Sequence, residues 1–266
     1  MRGLLLKFKF TEQISLSQTL QIKRFYKEAK IEMALGVINS HHQWLIKLDG
    51  KTVKTPSKNE LILPTPQLAQ CIADEFNSQK EFVQSNTMPL MTLARNAVDI
   101  EADETMREFM EHSIISYLER DTVLFREHSE SELYEIQRNK LDPQLKQFNR
   151  KFGMHLKVNF GIDVEPLKQY DQMRIETILN ELSSWQIVSL DSQVENLKSC
   201  ILALQIWNNH LTIKEAVQLS RIEEDYQIAL NGKIEGHHDI DESTILANIN
   251  AAKLFTQLIQ IQSITY

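Results

Sequence analysis

Residues 43–56 read QWLIKLDGKTVKTP. A period of two sets Trp44, Ile46 and Leu48 on one face, with Leu45 and Lys47 on the other. Asp49-Gly50 interrupts that alternation before a second extended run. Both central residues of a tight hairpin want positive φ, which Asp tolerates and Gly adopts freely. The stretch therefore predicts a β-hairpin. ELILP at 60–64 predicts a third strand beside it. Thr65-Pro66 then predicts a helix start: the hydroxyl can cap, and proline suits a first helical position whose N–H has no partner anyway. Leu68, Ile72 and Phe76 run down one side of that helix. Residues 24–95 form a small α+β domain on this reading.

Beyond residue 100 the apolar period changes to that of a helix. The pattern predicts helices over 102–119, 130–140, 143–152, 171–184, 192–209, 212–230 and 242–262. Asp142-Pro143 and Asp171 read as starts and Gly153 as a stop. MHLKVNFGIDVEP, from residue 154, reads as extended or irregular. The fold class is α+β: a small N-terminal α+β domain, then a larger all-helical domain over 96–266.

Bulk properties exclude several functions. The 266 residues carry a net charge of -7, which argues against nucleic acid as the main partner. Seven glycines and six prolines are too few for an all-β or low-complexity chain. No apolar run reaches the length of a membrane span. Cys71 and Cys200 have no metal-type spacing and read as reduced, buried thiols. The first thirty residues are basic and acid-poor: Arg2, Lys7, Lys9, Lys23, Arg24, Lys27 and Lys30 face only Glu12 and Glu28. Residues 1–23 suit an organelle transit peptide; a plain basic tail is the other reading.

No phosphate-binding glycine loop, nucleophile elbow, zinc-protease motif or Cys-x-x-Cys pair occurs, so no cofactor or metal is expected. His41-His42 and His237-His238 are adjacent pairs, whose side chains diverge on a helix or a strand. His238-Asp239 could join a histidine to an orienting carboxylate. SRIEEDYQ at 220–227 is the other charged cluster. On one continuous helix, at about 100° per residue, Glu223 falls inside the stripe of Ala216, Leu219, Ile222, Tyr226 and Leu230. Glu224 falls on the far side. A carboxylate on an apolar face must be paired, protonated or reserved for a partner. Arg120, Arg126 or a histidine could pair with Glu223. In SIISYLERDTVLFRE, at 113–127, Asp121 at the border of the apolar stripe and an arginine close to the core suggest a structural ion pair.

The motifs LDGKTVKTP, LILPTPQLAQCIADEF, TMPLMTLARNAVD, YLERDTVLFRE, QRNKLDPQL and LSRIEEDYQI occur here in order. In that order they resemble the F-type ATP synthase assembly factor that chaperones the alpha subunit of the catalytic head. The resemblance runs from about Arg24 to Leu258. It implies a mitochondrial matrix chaperone that holds unassembled alpha subunit, without nucleotide and without catalysis. It also implies an important acid in Ser220–Gln227, either Glu223 or Glu224, with the helix wheel favouring Glu223. Arg221, Glu223, Glu224, Tyr226 and Asp239 are the expected partner-binding residues. Phe76, Leu141 and Asn231 stand where the family commonly has Trp. Two other functions compete: a helical hydrolase using Glu223, His238 and Asp239, and a permanent structural adaptor.

Overall fold

A computed structural model of the chain describes residues 22–34, 43–128, 130–161, 164, 166–232 and 238–260, with the side chains of 238–241 excepted. The expected transit peptide up to residue 21, both histidines of the 41–42 pair and His237 lie outside the described residues, as do the side chains of His238 and Asp239.

Strand β1 (Ile22–Lys23) leads to β2 (Ala29–Met33), which pairs antiparallel with β3 (Trp44–Leu48) from Ala29↔Leu48 to Met33↔Trp44. β4 (Lys51–Thr52) returns across the expected turn, where Asp49 has φ 47° and Gly50 φ 84°. Two positive φ values give a turn whose twist matches that of the strands. The Asp49 carboxylate also accepts the Lys27 and Glu28 backbone N–H groups at 2.9 and 3.0 Å, fixing the turn to the strand before it. The third strand is β5 (Ile62–Leu63), paired with the opposite end of β3.

Helix α1 (Pro66–Ser78) starts at the expected cap: the Thr65 hydroxyl accepts the Leu68 N–H. The same hydroxyl donates to the Leu258 carbonyl at 2.8 Å, which ties the first helix to the last. Leu68, Ala69, Ile72, Ala73 and Phe76 of α1 bury against β2 and β3. β6 (Phe82–Val83) pairs with β1. Helix α2 (Pro89–Ala102) follows, and residue 95 lies inside it. All of it but Ala102 falls in a stretch for which the periodicity gave no helix. The helix begins at Pro89, and proline at the first position is the sequence signal for it.

Helix α3 (Glu104–Glu119) agrees with the expected 102–119. A short strand, β7 (Phe125–Arg126), pairs in parallel with β8 (Asn159–Phe160), so MHLKVNF does contain a strand. Between them, α4 (Glu132–Phe152) is one helix where two were expected. Pro143 removes one hydrogen bond, yet Leu133, Gln137, Leu141, Leu145 and Phe148 bury one continuous stripe across it. Tertiary burial overrides the local cost of proline, about 3 kcal/mol. Gly153 ends α4 with φ 64°, as expected of a left-handed helix stop.

Between residues 169 and 231 the helices are shorter than the periodicity suggests. α5 (Gln169–Asn180) stops before α6 (Ser184–Leu197), where Ser183 and Gln186 form a capping box. The expected 192–209 helix breaks at Lys198, φ 53°, and restarts as α7 (Cys200–Trp207) under a Ser199 cap. The expected 212–230 helix breaks at Arg221 into α8 (Ile213–Ser220) and α9 (Ile222–Asn231). α10 (His238–Gln260) closes the bundle. α6 lies at its centre, packed by α10, α2, α3 and α7. The architecture is α+β, with strands concentrated in the first third and helices thereafter. No helix among the described residues is long and apolar enough to cross a membrane.

Candidate functional site

The break at Arg221 changes the reading of the charged cluster. With two helices, the wheel built on Ala216 and Leu219 does not extend to Glu223. Glu223 is exposed, and it makes no ion pair with any described residue. The charge held inside is Arg221 instead, only 6% exposed. Its Nη2 lies 3.0 Å from Glu224 Oε1 and its Nε 3.8 Å from Asp225 Oδ1. Arg120 is exposed, and Arg126 pairs elsewhere, so none of the expected partners meets Glu223.

Glu223, Glu224 and Asp225 occupy the first turn of α9, which has no side-chain cap. Acids are favourable there because the unpaired N–H groups leave a partial positive charge. Ile222 is buried and Tyr226 half-buried, and α9 packs on α4 through this side. Glu223, Gln227 and Leu230 are all exposed, spaced along one outward strip. Leu230 is 61% exposed, an apolar side chain left in solvent beside a carboxylate. The structure thus gathers Arg221, Glu224 and Asp225, directs Glu223 outward and Tyr226 inward, and leaves the side chain of Asp239 undescribed.

The second charged cluster also differs from expectation. Asp121 is fully buried and pairs with no arginine among the described residues. Its carboxylate accepts the Val123 N–H at 3.0 Å, the Ser199 hydroxyl at 2.6 Å and the Ile201 N–H at 2.9 Å. It caps the 3-10 turn Thr122–Leu124 and holds the start of α7 to the end of α3. Burial raises its pKa to about 6 and outweighs those hydrogen bonds. The arginine ion pair of this region is Arg126–Asp142, 2.8 Å, between β7 and α4. Burial likewise pushes Glu75 up to about 7, although its carboxylate accepts the Leu90 and Met91 N–H groups at 2.8 Å. Asp191 rises to about 7 through burial, with Glu195 adding repulsion.

Among the described residues, no group of three or more His, Cys, Asp or Glu is placed to hold a metal ion. Cys200 is buried, as expected; Cys71 is only half-buried. Phe76 and Leu141 both lie in the core, where an aromatic or aliphatic side chain fits. Asn231 ends α9 in solvent. The sequence reading missed one surface entirely. Phe109, on the outer face of α3, is 76% exposed, the highest value for a large apolar side chain among the described residues. Its signal was present: at 100° per residue Phe109 sits about 140° from Ile114, off the buried stripe.

Comparison with known proteins agrees with this architecture. Residues 23–149 match the family model of the ATP12 chaperone protein. Protein atp12, mitochondrial, of Schizosaccharomyces pombe is 27% identical over 248 residues, covering 90% of this chain and 83% of its own. Protein ATP12, mitochondrial, of Saccharomyces cerevisiae is 21% identical over 251 residues, covering 79% and 77%. The crystal structure of Atp12 from Paracoccus denitrificans superposes with a TM-score of 0.74 at 23% identity, over 90% of this chain and 99% of that one. The structural likeness supports the fold; the family match over residues 23–149 and the two relatives make the chain similar to mitochondrial ATP12 proteins.

Proposed function

We propose that this chain is a mitochondrial matrix chaperone that holds the unassembled alpha subunit of ATP synthase until the catalytic head is built. The observation that carries this reading is the family match over residues 23–149, extended along most of the chain by relatives named as mitochondrial proteins. An unassembled subunit exposes an apolar face that its neighbours later cover, and such a face aggregates. Holding it requires apolar anchors ringed by orienting charges, not bond-making chemistry. The outward strip of α9, with Glu223, Gln227 and Leu230, has that composition. On this reading Glu223 touches the client, while Arg221 fixes Glu224 and Asp225 beside it. Residues 1–23 carry the mitochondrial address.

The test is binding of purified chain to alpha subunit, with and without Glu223→Lys. Glu223 is exposed and pairs with no described residue, so the stability of the variant should lie within about 0.5 kcal/mol of the parent. It should nevertheless bind alpha subunit at least about tenfold more weakly, as expected for reversing a contact charge. Equal affinity from a normally folded variant removes Glu223 from the contact. Failure of the parent chain to bind alpha subunit removes the function.

A further inference from the structure

Helix α3 carries a second surface that the acidic cluster does not explain. An open groove of about 400 Å³ lies along its outer face. Phe109 and Tyr117 give it an apolar wall, Arg120 and Lys198 give it positive charge, and the His112 imidazole lies beside them. Among the described residues no acidic side chain lines it, although the whole chain carries a net charge of -7. Of the acids of α3, Glu111 pairs with Arg107 at 2.8 Å, Glu119 faces a neighbouring hollow, and Glu108 is exposed beside Phe109 in sequence without lining the groove.

The groove is built by the interior. Asp121 binds the Ser199 hydroxyl and the Ile201 N–H, drawing the α6–α7 junction against the end of α3. The Thr122 N–H reaches the Lys198 carbonyl at 3.5 Å. Residues 120 and 122 on one wall thereby face residue 198 on the other. The polar groups so assembled have little to satisfy them within the fold. His112, Arg120 and Lys198 make no ion pair or hydrogen bond through their side chains with any described residue, although Lys198 Nζ lies 5.8 Å from the Tyr117 ring centroid. Thr122 Oγ1 is buried with no hydrogen-bond partner among the described residues.

The dimensions select the class of occupant. Met106, 42% exposed, stands one turn before Phe109, so the strip runs from Met106 to Arg120. At 1.5 Å per residue that is about 20 Å, longer than a compact small molecule and suited to a polypeptide segment. We propose that this groove is a second docking site for the client, taking an acidic stretch that places an apolar side chain against Phe109 and Tyr117. The inference rests on the chaperone reading above and deepens it: the client meets an acidic, leucine-bearing strip on α9 and a basic, aromatic groove on α3.

The experiment uses the full chain co-expressed with alpha subunit, with a photo-cross-linking amino acid in place of Phe109, of Leu230, or of the exposed control Lys140. Adducts from position 109 to an acidic peptide of alpha subunit, absent from position 140, support the groove. Adducts from position 230 without any from 109 overturn the groove and leave the chaperone reading standing. Adducts from neither position overturn both. Adducts from position 109 to a second copy of this chain assign the groove to self-association and overturn the proposal. A second measurement is independent of labelling: Arg120→Glu with Lys198→Glu should weaken alpha-subunit binding at least about tenfold and flatten its dependence on salt. Unchanged affinity and salt dependence in a variant with parental circular dichroism refute it.

Discussion

Replacing Asp121 tests whether one buried carboxylate holds the helical half together. In Asp121→Ala, the Val123 N–H, the Ile201 N–H and the Ser199 hydroxyl lose the acceptor they now reach at 3.0, 2.9 and 2.6 Å. Each buried donor left unpaired costs about 1–3 kcal/mol. Water entering the vacated space recovers part of this, so the expected loss is about 3–5 kcal/mol, against a total stability of about 5–15. Asp121→Asn keeps one oxygen but turns an amide toward donors, and should lose about 1–3 kcal/mol. Urea unfolding followed by circular dichroism reads both; with a slope near 3 kcal/mol/M, the alanine midpoint falls by about 1 M or more. The pH dependence has a fixed sign. The unfolded carboxyl titrates near 3.8 and the folded one at about 6, because burial disfavours its charge. The folded state therefore holds the proton more tightly, and this stabilisation is complete below pH 3.8 and lost as pH rises through 6. The advantage of the parent over Asp121→Asn should shrink between about pH 4 and about pH 7. A loss under about 1 kcal/mol for Asp121→Ala at about pH 7, or an advantage that grows with pH, would refute the clasp.

Substitutions at two further positions probe other interior charges. Glu75 supplies the cap that Met88 cannot give α2, by accepting the Leu90 and Met91 N–H groups. Glu75→Ala should cost about 1–2 kcal/mol in urea unfolding. Because burial raises the Glu75 pKa to about 7, its protonated form favours folding. That contribution is complete below the unfolded value of 4.5 and lost as pH rises through 7, so parent melts should gain more than Glu75→Gln on acidification from about pH 8 to about pH 5. Arg126 reaches Asp142 through Nε and Nη2, and the Val123 and Phe125 carbonyls through Nη1. A lysine has no planar fork to make these bonds together, so Arg126→Lys should cost about 2–4 kcal/mol in the same assay; a loss below about 0.5 kcal/mol would show the guanidinium is not needed.

The elements the sequence made legible are those whose cause is local. Asp49-Gly50 needs only its own φ values, and Thr65-Pro66 only its own hydroxyl and ring. The breaks at Lys198 and Arg221 have no such mark. Lys198 is left-handed without being glycine, and the bonds that hold the chain there come from Asp121, 78 and 80 residues before Ser199 and Ile201. Once the 212–230 helix is drawn unbroken, geometry places Glu223 in the core. The actual corner turns it outward and puts Arg221 inside. Pro143 shows the converse error: a strong local stop is overruled by a stripe from Leu133 to Phe148 that has to stay buried. The capping boxes at Ser183–Gln186 and Thr212–Glu215 were legible signals, and reading the first would have started α6 at Ser184 instead of 192.

Two client contacts of opposite charge would resolve a tension in what an assembly chaperone must do. One patch tight enough to prevent aggregation would also resist the subunit that should replace it. Two weaker patches on one rigid body divide the holding between them. When the first is occupied, the second binds at a high effective concentration, and the pair holds far more firmly than either alone. Displacement at one patch then removes that advantage and leaves a contact that dissociates quickly. The α9 strip and the α3 groove meet the structural condition for this, because both stand on helices anchored to the common core, α9 on α4 and α3 on α6. Their opposite signs also fix the direction in which a client can lie, since the reversed pose sets acid against acid. Release would then begin wherever the incoming subunit competes first, and the rest of the contact would follow without a nucleotide or a conformational trigger.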